Sequence, residues 1–486
     1  MTSLADATAL TASVEVLDTP NLGDRSYVVH LDGRAVVVDP QRDIDRVESV
    51  LASRGLTVTH VLETHIHNDY VSGGLELARR TGAVYVVPVG YELAFEAQQL
   101  ADGDTFVSGR MAWRAVHTPG HTPQHLSYVV SVEGRDEAAF TGGSLLFGSV
   151  GRPDLIGPDH THELAHAQWN SVRRLTDEVD DEAAVFPTHG FGSFCSATAT
   201  VGLESTIGQQ KASNPACTID EDVFVEELIN GLDAYPAYYA HMAPANQAGP
   251  GPIDLTLPER ADAAELRRRI DAGEWVVDLR SRRVFAEGHL RGTLSFDGAG
   301  NVVTYLGWLI PWGTPLTLLA ETAEQITAVQ RELVRIGIDR PEAYSDGSLS
   351  GWVESVDDIA SYPRATFAEL DAELDANPEL LVVDARRRTE WQDGHVTGAR
   401  LVPLHEFLPR LDEIVTWSKA AAHAGRDATV WVYCGSGFRA SAAASLLERA
   451  GAAVVHVDAD VATGRTMRHW TPAEHVDATI GSAYAD

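Results

Sequence analysis

The 486 residues carry 70 acidic against 37 basic side chains, a formal net charge of −33, with two lysines, Lys211 and Lys419. That field disfavours nucleic acid and anionic membrane as partners, and at ~100 to 200 residues per domain the length implies three or four domains with substantial cores. Three cysteines without a Cys-x-x-Cys pair argue against a disulfide framework or structural zinc and suit a reducing cytoplasm; no basic-then-apolar leader is read at the start, and the longest apolar run, residues 302–320, is broken by Gly307, Pro311, Gly313 and Pro315.

The apolar run 58–62 predicts a buried strand, and at its end Glu63-Thr-His65-Ile-His67-Asn-Asp69-Tyr70 presents two imidazoles and a carboxylate spaced by two. That spacing lets several ligands face one cavity. Further on come Thr118-Pro-Gly-His121-Thr, Phe140-Thr-Gly-Gly143 and Phe186-Pro-Thr-His189-Gly. Together these segments resemble the metallo-β-lactamase superfamily, which implies an αβ/βα sandwich over residues 1–233 with a metal site at the strand ends. The resemblance implies His65, His67 and His121 as metal ligands, with Asp69 and His189 ranked behind them. Two positions depart from its pattern. Tyr70 stands where the motif, which normally ends in Asp-His, has a histidine, and Gly143 stands where Thr-Gly-Asp supplies a carboxylate that bridges two metals or completes an iron site. Binuclear hydrolysis is thereby disfavoured, while a mononuclear Fe(II) site usually takes two histidines and one carboxylate. Three readings stay open: one Fe(II) or Zn on His65, His67 and His121; Asp69 or Asp154 swinging in to complete the set; or a metal-free scaffold. His60, His117 and His125 read as satisfied polar residues at strand ends.

After a short helical pattern at 221–230, the Pro- and Gly-rich stretch 234–257 reads as a loop-like linker whose aromatics pack on a neighbour. Val276-Val-Asp278-Leu-Arg280 with Gly288-His-Leu-Arg-Gly292 then aligns without a gap on Val382-Val-Asp384-Ala-Arg386 with Gly394-His-Val-Thr-Gly398. An internal repeat follows, residues 258–360 and 361–476, with 477–486 as a tail.

In the second copy, 430–433 predicts a buried strand and 440–450 a helix with Leu446, Leu447 and Ala450 on one face. Cys434 lies between them. Gly435, Ser436 and Gly437 let backbone N–H groups turn on the sulfur, and the helix dipole and Arg439 add positive potential, a setting for a nucleophilic thiolate. The Cys-x4-Arg loop resembles that of rhodanese sulfurtransferases, doubly wound parallel-sheet modules. That resemblance implies a persulfide on Cys434, an acceptor-binding Arg439, and substrate contacts from Gly435, Ser436, Gly437, Phe438, Asp384 and Arg386. In the first copy, aligning helix ends Gly337 and Gly451 puts Ala320 in place of Cys434, Gln325 in place of Arg439, and Glu321 and Glu324 where an anion would sit. That copy is read as an inactive structural or interface module.

The order of the three parts resembles the fused persulfide dioxygenase–rhodanese proteins of bacterial sulfide detoxification. The resemblance implies a first domain that oxidises a small persulfide with O2 and Fe(II), and a Cys434 that moves sulfane sulfur among persulfide, thiosulfate and sulfite. It also implies Cys195 as a second thiol at the metal cavity, although Cys195 reads equally as a small buried residue. Cys217 reads as structural. The alternatives are a glyoxalase-type thioester or lactone hydrolase, which needs zinc, and a scaffold presenting persulfide to a partner protein. A small-molecule persulfide, thiosulfate or sulfite is the expected partner, and the extra module is compatible with a homo-oligomer.

Overall fold

A computed structural model describes residues 11–473; the tail expected at 477–486 lies outside them. Of the described residues, those up to Asp254 together with Arg331–Asp339 form one compact unit, and Leu255–Gln330 with those from Arg340 onward form a second.

The first unit holds two sheets. One has six strands, β1 (Ser13–Thr19), β2 (Asp24–Leu31), β3 (Arg34–Val38), β4 (Thr57–Leu62), β5 (Val84–Pro88) and β6 (Gln98–Leu100), paired in that order and parallel from β3 onward. The other comprises β7 (Thr105–Ser108), β8 (Met111–His117), β9 (Leu126–Val132), β10 (Arg135–Gly142) and, beyond the hairpin of β11 (Leu145–Leu146) and β12 (Ser149–Val150), β13 (Ala184–Pro187). Its order is β13-β10-β9-β8-β7, with β13 parallel to β10. Val36 and Val38 of β3 pack inward with Trp113, Tyr128 and Phe140 of the second sheet, while Ala35 and Val37 pack outward with Val47, Leu51, Leu75 and Leu77 of two helices. Successive side chains point to opposite faces, so a strand covered on both sides reads as an unbroken apolar run. Val172 and Leu175 of helix Pro158–Glu178 cover the far face of the second sheet. The αβ/βα sandwich expected from the motifs is therefore present, with His65, His67 and Asp69 just past the end of β4 and His189 just past β13.

Two stretches differ from the sequence reading. Tyr239–Ala248, expected to be loop, is a helix with Pro244 inside it. Its Asn246 fixes the end of the histidine loop, accepting from Ser72 N–H and donating to the carbonyls of His67 and Tyr70. Burial and these bonds outweigh the poor local propensity. Arg331–Asp339, expected within the first repeat, belongs with the first unit: Arg335 donates to both oxygens of the fully buried Asp43, at 3.0 and 2.6 Å. Arg335→Ala is expected to lower that unit's stability by about 2 to 3 kcal/mol, because it removes two hydrogen bonds from a buried carboxylate that Arg46 and the more distant Arg331 must then balance. An earlier urea transition of this unit would register it; an unchanged midpoint would refute it.

The second unit repeats one topology. β14 (Glu259–Arg260), β15 (Trp275–Asp278), β17 (Leu294–Ser295), β18 (Leu316–Ala320) and β19 (Ala343–Asp346) form a parallel sheet ordered β14-β19-β18-β15-β17, and β16 (His289–Leu290) pairs with β20 (Ile359–Ala360). β21 (Arg364–Ala365), β22 (Leu381–Asp384), β24 (Arg400–Leu401), β25 (Val430–Tyr433) and β26 (Val454–Val457) repeat it as β21-β26-β25-β22-β24, and β23 (Gly394–Val396) pairs with β27 (Trp470–Pro472). The doubled Asp-x-Arg signature closes the same way in each copy. Arg280 donates to Asp278 at 2.6 Å and to Gly288 O at 2.9 Å, and Arg386 to Asp384 at 2.6 Å and to Gly394 O at 2.8 Å. No helix among the described residues is long and apolar enough to cross a membrane.

Candidate functional site

Two sites emerge, one per unit. In the first, His65, His121 and His189 bring one ring nitrogen each to within 4.8 Å of one another, and all three are buried. Each has its other nitrogen spoken for. Thr64 Oγ1 donates to Asp39, so it accepts from His65 Nδ1 at 2.9 Å; the Arg152 carbonyl accepts from His121 Nδ1 at 2.9 Å; and Asp24 lies 2.9 Å from His189 Nδ1. These oxygens fix the tautomers that turn each Nε2 inward. His65 Nε2 and His189 Nε2 are 3.4 Å apart, the spacing of two ligands at about 2.1 Å on one tetrahedral ion. His121 Nε2 is buried without a hydrogen-bond partner. This donor set fits a single metal.

Burial and the neighbouring imidazoles hold His65 well below the usual histidine range, and burial pushes His121 down to about 3. His189 is pushed up to about 10 although burial opposes it, because Asp69 and Asp24 outweigh the burial. Asp69 is held below the usual carboxylate range, its burial being outweighed by His189 and His67.

His67, expected beside His65 and His121, is turned elsewhere. Its Nε2 faces Tyr70 Oη at 2.9 Å and Asp39 and Glu63 at 3.3 Å each, and although burial opposes it these carboxylates push it up to about 9. Its inward grouping is with Asp69 and His189. The group on His65 and His121 is completed by His189, ranked behind in the sequence reading, while His67 keeps a buried Nδ1 without a hydrogen-bond partner, 3.9 Å from Asp69. Asp154, the other carboxylate considered, is locked by Arg152 at 2.6 and 2.8 Å. His125 is satisfied on both sides, by Thr118 and by the Gly143 N–H. Cys195 is buried with its sulfur 3.8 Å from Tyr239 Oη, and burial, with Asp69 and Asp24 nearby, pushes the thiol up. It is a protonated thiol rather than a nucleophile at rest.

Gly143 has a local reason. A Cβ there would fall inside the His121 ring, and a Cβ on Gly151 would meet both that ring and the Gly143 carbonyl. The two glycines, joined by Gly151 N–H to Gly143 O at 2.9 Å, form the slot in which the ring lies.

In the second unit, Cys434 follows β25 and precedes helix Phe438–Arg449, with its sulfur accepting the Gly437 N–H at 3.2 Å. Gly437 has φ +93°, and a Cβ there would lie 2.5 Å from Asp458 Oδ1, so glycine is required. The helix is buried from Ala440 to Leu447, and Ser441 and Ser445 bond Ser295 of the cysteine-less copy, which buttresses it. Arg439, expected to meet an acceptor, is held by both oxygens of Glu390 at 2.5 and 2.7 Å. Asp384 and Arg386, expected at the substrate, are buried and spent on each other and on backbone carbonyls. They hold the Gly394 segment. The pairs Glu390–Arg439 and Arg282–Asp458 had no sequence signal, since their members lie 49 and 176 residues apart. In the cysteine-less copy, Gln325 Oε1 accepts from the N–H groups of Glu321 and Thr322 at 2.9 and 3.2 Å. The loop amides that an anion would use are already taken by a side chain.

The Metallo-beta-lactamase superfamily profile matches residues 22–189, and the Rhodanese-like domain profile matches residues 366–461. The chain belongs to the metallo-beta-lactamase superfamily and carries a rhodanese-like domain toward its C-terminal end. It is similar to the mitochondrial persulfide dioxygenase ETHE1 of Homo sapiens, 27% identical over 227 residues, 46% of this chain and 81% of that protein. It is also similar to a hydroxyacylglutathione hydrolase of Methylococcus capsulatus, 32% identical over 37% of this chain and 67% of that protein. A crystal structure of a metallo-beta-lactamase from Staphylococcus aureus matches with a TM-score of 0.63 and 25% identity, over 70% of this chain and all of that one, more than the first unit alone supplies. The chain spans about half the length of several curated relatives it matches.

Proposed function

We propose that the chain is a sulfur-metabolism enzyme in which Cys434 carries sulfane sulfur, joined to a first domain that holds one metal and acts on a small persulfide. The observation that carries this reading is the Cys434 sulfur set on a glycine loop at a buried helix N-terminus, with an amide donated to it. The Cys434 thiolate attacks the terminal sulfur of R–S–SH; the Cys434 S–S bond forms, the R–S–S bond breaks, and R–S⁻ leaves, so charge and electrons balance with no external oxidant. The loop amides stabilise the sulfur anion, and the Arg439–Glu390 pair fixes the loop's mouth.

In the first domain, His65, His121 and His189 would hold the metal, oriented by Thr64, Arg152 O and Asp24. Iron there would supply O2 chemistry, and zinc would supply Lewis-acid chemistry. His65, His121 and His189 converge as one group, and Gly143 stands where a carboxylate bridging two metals would be. That supports one metal and weighs against a binuclear hydrolase of the glyoxalase type. Elemental analysis of protein prepared anaerobically with iron is the test. Near-stoichiometric metal is expected, falling at least tenfold in His121→Ala, with O2 uptake on glutathione persulfide following the iron. Equal metal in both proteins would sink the assignment of these ligands, and iron without O2 uptake would sink the dioxygenase half. A cytoplasmic location and a homo-oligomer belong to the same proposal.

A further inference from the structure

The peptide unit between Ser436 and Gly437 is held at both ends. Its N–H, on Gly437, donates to the Cys434 sulfur at 3.2 Å, and its carbonyl, on Ser436, accepts from Arg282 of the cysteine-less copy at 3.2 Å. A trans peptide is planar, with its carbonyl and N–H pointing in opposite directions, so the partner of the one fixes where the other is aimed. We infer that Arg282 is a positioning residue of the Cys434 site: by anchoring the Ser436 carbonyl it turns the Gly437 N–H onto the sulfur, and the site is incomplete without the cysteine-less copy. The inference rests on sulfur transfer at Cys434 as proposed above.

Three observations carry it. Glycine at 437, with φ +93° and no side chain to wedge, leaves the peptide before it free to turn unless something else holds it. The peptide after it is held from within the cysteine-bearing copy, where the Gly437 carbonyl accepts from the Ser441 N–H at 3.0 Å and faces His456 Nε2 at 2.8 Å. The Ser436 carbonyl lies ahead of the helix cap and takes its bond from Arg282 instead. Secondly, the guanidinium is itself fixed. Its Nε donates to Asp458 at 2.7 Å and its Nη1 to Asp297 at 3.4 Å, so Nη2 reaches Ser436 O from a group held at its other two corners. Asp458 also accepts from Arg283 and Arg364, at 2.9 and 3.2 Å, which keeps that carboxylate in place. Finally, the role belongs to one copy. Arg282 stands two residues after Arg280 of the Asp-x-Arg signature, and Arg388 stands at the same place after Arg386. Arg388 has a side chain 66% exposed and lies 3.9 Å from Glu406. The repeat therefore carries an arginine at this place twice, and it is the cysteine-less copy's that reaches across to the sulfur loop.

The test uses the full-length protein and follows sulfur loading on Cys434 by intact mass, with glutathione persulfide as donor. Arg282→Ala is expected to lower kcat about tenfold, the loss of one hydrogen bond to a charged sulfur, with KM held. Arg282→Lys, which keeps a cationic donor beside Asp458 and Ser436, is expected to recover kcat to within about threefold of the unaltered protein. Ser445→Ala, which breaks a different bond between the same two copies, the one from Ser295 N–H, is expected to leave both constants unchanged and so separates loosened packing from a turned peptide. Alkylation of Cys434 by iodoacetamide, which needs no sulfur donor, is expected to slow slightly in the lysine variant and strongly in the alanine variant, because an N–H donated to the sulfur favours its anion. A raised KM with kcat held would make Arg282 a substrate contact; that result, or variants that load and alkylate like the unaltered protein, would overturn the inference. Loading that is absent from the unaltered protein, or that survives Cys434→Ser, would instead overturn the sulfur-transfer reading, and the order of alkylation rates would then decide the positioning by itself.

Discussion

Cys434→Ser is expected to abolish sulfur loading, by a factor of at least about 10^3, while leaving the fold and the metal content of the first domain intact. The serine hydroxyl is about as small and can accept the same Gly437 N–H, so the loop keeps its geometry. What changes is the nucleophile. A hydroxyl is essentially un-ionised near neutral pH and is a far weaker nucleophile toward sulfur than a cysteine. The nearest imidazole partner of the loop, His456, cannot substitute as a base for position 434. Burial pushes it down to about 4, and its Nε2 is committed to the Gly437 carbonyl at 2.8 Å. Intact mass after exposure to glutathione persulfide should show one added sulfur on the unaltered protein and none on the variant at this position. A variant that still gains and transfers that sulfur would move the chemistry to Cys195 or Cys217. Both are poorly placed for it, since burial pushes both thiols up and no loop amide is donated to either sulfur among the described residues.

What could be read from the chain in advance was what lies close together along it. The loop from Cys434 to Arg439 carries its own strand, glycines and helix, so its shape follows from neighbours in sequence. The doubled Asp-x-Arg and Gly-His-x-x-Gly segments were legible for the same reason, and the two sheets built on them have the same strand order. His65, His67 and Asp69 were visible as a set because a strand end presents alternate residues together. What could not be read was which partner each polar group finds across the fold. His67 and His121 look equivalent in sequence, but only one has Tyr70, Asp39 and Glu63 packed against its ring. His189 gains its place from Asp24, 165 residues earlier. Arg439 looked like a free anion binder until Glu390 closed on it. The helix Tyr239–Ala248 was hidden because Pro and Gly flank it and its stabilisation is tertiary, through Asn246 and the histidine loop.

Restoring the missing family carboxylate with Gly143→Asp is expected to remove metal binding rather than improve it. Reasoning from the motif alone, the substitution returns a ligand to a site that lost one. The packing says otherwise. The place of the new Cβ is already filled by the His121 ring, and that ring is wedged from the other side by Gly151, whose own N–H bonds the Gly143 carbonyl. The ring can leave only by breaking its bond to the Arg152 carbonyl, and with that bond goes the tautomer that turns Nε2 toward His65 and His189. The backbone has little room to yield, because the Gly143 N–H is committed to His125 and the Gly142 carbonyl to Thr188. Overpacking of this kind costs about 1 to 3 kcal/mol, to which the burial of a new carboxylate adds. Gly143→Asp should therefore unfold earlier on heating and hold less metal than the unaltered protein, whereas Gly143→Ala, with the same Cβ and no charge, should show most of the same loss. That pairing separates sterics from ligand chemistry. If Gly143→Asp instead gained metal and kept its melting temperature, the slot would be adaptable, and the three-histidine arrangement would be a resting geometry that a carboxylate can displace.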